Sequence, residues 1–106
     1  MTVEEIVRNR LGVEPEQIAE FCRKWQIKEL SLFGSALTDE FREDSDVDLL
    51  VVFEDPVEWT LWDFIDMNDE LAAMFGRSVD LLTKRSLKNP FRRHSILTSR
   101  RVVYAA

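Results

Sequence analysis

The 106-residue sequence predicts an α/β domain, a β-sheet packed by helices. Three patterns predict it. Val47, Leu49, Leu50, Val51, Val52 and Phe53 make a near-continuous, β-branched apolar run, as in a strand covered on both faces. Trp59 to Phe75 instead places Leu61, Phe64, Ile65, Leu71, Ala72 and Phe75 at helical spacing, with Asp63, Asp66 and Glu70 mostly on the other side. Strand-like and helix-like segments then alternate in the order α-α-β-(α)-β-α-β-α.

Each element has its own signal. Thr2 and Glu5 can form a capping box ahead of Ile6 and Val7, so a short helix opens the chain, and Gly12 breaks it. Pro15 suits the first position of a second helix, Glu16 to Trp25, whose Ile18, Phe21, Cys22 and Trp25 share a core-facing side. From Ile27 to Phe33 the pattern becomes alternation, a first strand that Gly34-Ser35 ends. A short helix is expected around Ala36 to Glu40, followed by a polar loop from Phe41 to Ser45. After the Val47–Phe53 strand, Pro56 marks a turn. Gly76 stops the long helix. Ser78 to Leu82 reads as a third strand. Asn89-Pro90 reads as an N-cap and first helical residue, with the helix running to about Thr98. Val102 to Tyr104 is a short terminal strand. No linker, repeat or low-complexity tract divides residues 1–106, so one domain is expected.

Composition bounds the setting. No apolar run reaches the roughly 20 residues of a membrane helix. Met1 to Arg10 carries acids and no apolar stretch, unlike a signal peptide, and the single Cys22 cannot form an internal disulfide; both point to the cytoplasm. The net charge of −6 hides an asymmetry. Residues 1–83 hold all 20 acids and seven Lys or Arg, a net of −13; residues 84–106 hold seven basic residues and no acid, a net of +7. Such an end can meet phosphate, nucleic acid or an acidic partner, or simply neutralise the acidic body. Lys84, Arg85, Lys88, Arg92 and Arg93 are candidates for triphosphate contact, partner docking or a solvated face. Only Phe91 and Tyr104 offer stacking surface near them, so nucleic acid is not the expected partner. His94 reads as a solvated residue, Cys22 as packing, and Trp25, Trp59 and Trp62 as core or interface.

The chemistry concentrates in Gly34-Ser35, then ten intervening residues, then Asp46-Val47-Asp48. Gly34 allows close backbone approach because it lacks a Cβ. Ser35 adds a hydroxyl and an amide, and a helix starting there would aim free N–H groups at a phosphate. Asp46 and Asp48, two apart at a strand head, fall on one face. Carboxylates that close repel unless a cation lies between them, and hard oxygen ligands suit Mg²⁺ or Mn²⁺. Asp80 is the third candidate, flanked by Val79, Leu81 and Leu82. Three carboxylates and a phosphate-binding turn can hold two metals about 3.5–4 Å apart for an in-line displacement at phosphorus. Asp46 and Asp48 are assigned to both metals. Asp80 is assigned to the catalytic metal and to proton removal from the nucleophile.

Leu32-Phe33-Gly34-Ser35 followed by Ser45-Asp46-Val47-Asp48-Leu49-Leu50-Val51 resembles the minimal nucleotidyltransferase (MNT) group of the DNA polymerase β superfamily. More narrowly, it resembles the antitoxin of HEPN/MNT toxin–antitoxin pairs. The resemblance runs from about Ile27 to Tyr104. It takes in Arg77-Ser78-Val79-Asp80-Leu81-Leu82, where the family has its third acid, and the ending from Asn89-Pro90-Phe91 through Ile96-Leu97 to Val103-Tyr104. It implies a polymerase β palm-like nucleotidyltransferase fold, with a mixed β-sheet and helices on one side. It also implies ATP as substrate, two Mg²⁺ ions, and a HEPN-domain toxin as partner in a hetero-oligomer. In this family the antitoxin can neutralise its toxin by adding AMP to a tyrosine on it. The matching residues are Gly34 and Ser35 for the nucleotide and Asp46, Asp48 and Asp80 for the metals. One departure stands out: many relatives carry an Arg shortly after the Gly-Ser, whereas this chain has Leu37-Thr38-Asp39-Glu40, and the nearest basic residue is Arg42. Rival readings are transfer to a small molecule such as an aminoglycoside, neutralisation by docking over a vestigial site, and action on RNA.

Overall fold

Strands β1 (Ile27–Phe33), β2 (Val47–Phe53), β3 (Val79–Thr83) and β4 (Arg101–Ala105) form one sheet in the computed structural model, which describes residues 1–106. Their spatial order is β3-β2-β1-β4. β1 runs antiparallel to both β2 and β4, while β2 and β3 are parallel, so the sheet is mixed. A parallel pair needs a crossover, and helix α3 (Leu61–Phe75) supplies it.

Helix boundaries follow local chemistry. In α1 (Val3–Asn9) the Thr2–Glu5 capping box forms, with Glu5 N donating to Thr2 Oγ1 at 3.2 Å. Pro15 opens α2 (Pro15–Lys24), where its missing N–H costs nothing. α3 begins at Leu61, two residues later than the apolar spacing predicts. Thr60 and Asp63 set that start with a second capping box: Asp63 N donates to Thr60 Oγ1 at 3.2 Å and Thr60 N to Asp63 Oδ2 at 2.8 Å. Trp59 is thereby left outside the helix. Its indole donates to Trp25 O at 3.2 Å, and the two rings meet edge-on at 5.3 Å. Gly76 ends α3 in the left-handed conformation, φ 68°, its N–H returning to Ala72 O at 2.9 Å. Asn89 caps α4 (Pro90–Ser99), accepting from Phe91 N and Arg92 N.

The main core joins 17 buried residues from one sheet face and the three preceding helices, including Ile6, Ile18, Leu30, Leu32, Leu49, Val51, Met67 and Leu71. Cys22 lies in it fully buried, and burial pushes its thiol up to about 12, so it stays neutral packing. The other face carries a smaller cluster of Phe33, Leu50, Leu87 and Ile96, beneath α4. The resemblance implied helices on one side only; α4 corrects this. The reason is β2 itself, whose apolar run from Leu49 to Phe53 requires cover on both faces. The terminal strand forms as expected and extends to Arg101–Ala105, with Arg100 pairing Glu29 at 3.2 Å.

Candidate active site

Topology brings the candidate residues to one end of the sheet. Because β1 and β2 are antiparallel, the C-terminal end of β1 meets the N-terminal end of β2, and Phe33 stands opposite Asp48. Because β2 and β3 are parallel, the N-terminal end of β3 lies there too, and Asp80 stands beside Asp48. Alternation along β2 places Asp48 on the face of Leu50, the thinly covered α4 side.

Asp48 is the centre of the group. It is half-buried, and its carboxyl is held above its ordinary value, first by burial, then by Asp80 and Asp46, with Arg92 opposing. Asp46 and Asp80 therefore both lie near enough to act on the charge of Asp48. Their settings differ from the sequence expectation in detail. Asp46 is exposed and lies just before β2, outside the strand ladder. Asp80, though flanked by apolar residues in sequence, is exposed on the edge strand, so it meets no burial cost.

Gly34 is required by geometry. Its φ is 73°, and a Cβ built there would overlap Asp48 Oδ2 and lie 3.3 Å from Asp48 Cγ. Only glycine allows the turn to pack against this carboxylate. After it comes a four-residue 3₁₀ turn, Gly34–Leu37, where a helix over Ala36–Glu40 was predicted. Thr38 ends it, its N–H and hydroxyl both donating to Ser35 O. So short a turn has little macrodipole. What remains for a phosphate is close approach at Gly34 and the half-buried Ser35.

Two arginines with no role in the sequence reading hold the loop between the turn and Asp46. Arg10, which caps α1, donates to Ala36 O at 2.9 Å and also to Thr38 O. Arg77 donates to Arg42 O at 2.8 Å and Ser45 O at 3.1 Å. Phe41 lies between them, its ring centre 5.9 Å from the Arg10 guanidinium and 4.3 Å from that of Arg77. Val47 N, donating to Ser78 O at 2.9 Å, ties the loop's end to the start of β3. These contacts span 26 to 35 positions along the chain, so no local pattern could reveal them. The only sequence hint was Arg77 directly preceding Ser78-Val79-Asp80.

The basic segment divides in a similar way. Arg92, on the first turn of α4, lies near enough to Asp48 to favour its charged form. Arg93 is engaged elsewhere, donating to Lys84 O at 2.9 Å. His94 is exposed, as expected.

No three acidic, histidine or cysteine side chains form a ready-made cage for an ion. Magnesium commonly keeps several waters and takes substrate phosphates as ligands, so one or two carboxylates are enough to bind it. Asp48, crowded by Asp46 and Asp80 and pressed against Gly34, is the oxygen donor such an ion would relieve. A cleft of about 770 Å³ lies at the other end of β2 and β3, among Phe53, Trp59, Phe64, Thr83, Lys84 and Arg85. Asp46, Asp48 and Asp80 do not line it. The aspartate end is an open shelf, identified by its charges and not by its depth.

Residues 15–103 match the nucleotidyltransferase domain family. The chain is 38% identical over 89 residues to protein adenylyltransferase MntA of Thermococcus cleftensis, covering 84% of each. Among solved structures it resembles one determined as a candidate minimal nucleotidyltransferase, at 33% identity, TM-score 0.69 and 95% coverage of both chains. It shares the fold of a chain in the complex of tri-AMPylated Shewanella oneidensis HEPN toxin with MNT antitoxin (19% identity, TM-score 0.62, 87% of this chain and 70% of that one). With the strand order and the Gly34 turn packed on Asp48 already in view, these likenesses settle the family: this chain is a nucleotidyltransferase of the minimal type.

Proposed function

We propose that this chain transfers AMP from ATP to a hydroxyl of a HEPN-domain toxin, a tyrosine, and acts as that toxin's antitoxin. The observation that carries the reading is Asp48 standing between the Gly34 turn and Asp80, with its carboxyl held above its ordinary value. The relative named protein adenylyltransferase supports the choice of a protein acceptor, and the complex of AMPylated HEPN toxin with MNT antitoxin supports the choice of partner. A cytoplasmic setting fits both an ATP substrate and a single buried, unpaired cysteine.

Asp46, Asp48 and Asp80 would hold Mg²⁺, which when bound neutralises the triphosphate and the attacking oxygen. The chain's own residues do the rest. Gly34 and Ser35 let the triphosphate approach the β1–β2 end without steric conflict. Arg92, already close to Asp48, balances phosphate charge where many relatives use an arginine in the loop. The acceptor oxygen bonds to the α-phosphorus and the bond to the β,γ-pyrophosphate breaks in line. The hydroxyl proton passes to Asp80, which its edge position keeps accessible to a large acceptor. Arg10 and Arg77 fix the loop that carries Asp46.

Mass spectrometry of this chain mixed with a HEPN-domain toxin, ATP and Mg²⁺ tests the reading. The HEPN protein should gain the mass of AMP. Asp46→Ala combined with Asp48→Ala should abolish the gain. Tight binding with no change of mass in the wild type would leave docking as the only means of neutralisation.

A further inference from the structure

Away from the aspartate shelf, α3 presents an apolar face that nothing in the chain covers. Leu61 is 73% exposed, Trp62 74% and Ile65 42%. Isolated exposed apolar residues are ordinary, but three within five positions of one helix form a patch. Met67, Leu71 and Phe75 already turn the helix's other side to the core, so the patch does not serve the fold. Leu61 and Ile65, four apart, line a groove of about 340 Å³ with Phe64 and Leu81. Asn68 and Asp69 complete its lining. The far wall belongs to β3, whose outer side has no partner strand.

Charge selects the occupant. From Glu43 to Gly76 the chain has eleven acids and no Lys, Arg or His. Glu58, Asp66 and Asp69 around the patch are exposed, whereas Asp63 is used in the helix cap and Glu70 pairs with Lys24 at 3.0 Å. A two-fold dimer through this face would set acids against their own copies, which opposes self-pairing. An apolar centre with an acidic rim is complementary to apolar side chains flanked by Lys or Arg.

We propose that the α3–β3 groove is the docking site of the protein acceptor, which fills it with an apolar cluster flanked by Lys and Arg. This rests on the reading of a protein acceptor given above. The groove's Leu81 directly follows Asp80 on β3, and strand alternation sets these two on opposite faces, so docking and chemistry lie on either side of one edge strand. The docked body leaves the aspartates open, and an extended segment of it reaches them.

The test uses as probe the purified HEPN-domain toxin that this chain modifies in the experiment above, with calorimetric binding and transfer kinetics. Trp62→Ala with Ile65→Ala, and separately Asp66→Lys with Asp69→Lys, should each weaken binding at least tenfold. Each should raise KM for the HEPN protein while leaving KM for ATP and the melting temperature unchanged. Asp48→Asn should bind like the wild type, and added salt should weaken wild-type binding. If the wild type binds and both surface variants bind equally well, the groove is not the docking site. If the wild type does not bind the HEPN protein at all, the acceptor reading itself fails. Should the chain alone form dimers in light scattering that Trp62→Ala dissolves, a second copy is the occupant and the proposal is overturned.

Discussion

The two faces of the sheet are built unequally. One buries 17 residues against α1, α2 and α3; the other buries four beneath α4. Leu49 and Asp48 are neighbours on β2 and belong to opposite faces. Leu49 is fully buried in the thick core, while Asp48 is half-buried among like charges on the thin side. Stability is thus gathered on one face, which frees the other to carry a group that is unfavourable to fold around. The 770 Å³ cleft holds none of the three candidate aspartates, and an open charged shelf needs no deep cavity.

Four substitutions sharpen this division. The largest expected effect is on Asp48→Asn, which should cut nucleotidyl transfer by at least about a hundredfold. It should also raise the melting temperature at neutral pH without metal. A carboxyl whose folded pKa is raised binds its proton more tightly when folded, so stability falls as pH rises above the ordinary aspartate value of 3.8. The gain from Asn should therefore shrink as the pH is lowered toward that value, and melting curves against pH measure it. A gain that persists unchanged at acid pH would contradict the unequal-face account.

Next comes Leu49→Ala, on the other side of the same strand. Truncating a fully buried leucine costs about 2–5 kcal/mol, and denaturant unfolding should show a loss in that range. Remaining folded enzyme should keep its ATP affinity. Gly34→Ala is expected to reduce transfer roughly tenfold or more, since the methyl group must displace Asp48 and the positive φ disfavours alanine. Kinetics at rising Mg²⁺ should show a weakened metal requirement curve, with midpoint shifted upward. The smallest effect is expected for Arg77→Ala, about severalfold in kcat with little change in KM, because it only positions the loop before Asp46. Arg77→Lys should recover part of this. A full loss of transfer on Arg77→Ala with normal folding would mean that the residue touches the reacting groups.

Most of the elements were legible in the sequence because their signals are local. Capping residues, the positions of Pro15, Gly76 and Pro90, and the β-branched run of β2 each act within a few positions. The start of α3 was misplaced because periodicity counted Trp59, while the Thr60–Asp63 capping box governs. The helix after Ser35 was overcalled: four residues of 3₁₀ turn suffice when Arg10 takes the carbonyls. Neither Arg10 nor Arg77 could be found beforehand, since each acts on carbonyls 26 or more positions away.

By itself the sequence singled out the candidate residues: a glycine without a Cβ, a serine, and three aspartates at or just before strand heads. Residue type and spacing decide that, and both are written along the chain. Only the tertiary structure decided how those residues meet. Strand directions set which ends coincide, and the register places Asp48 beside both Phe33 and Asp80. It also decided that α4 brings Arg92 to the thin face and that Leu61, Trp62 and Ile65 are left in solvent. The physical reason is range: propensity and capping act over a few residues, whereas packing and charge act between segments that only the fold brings together.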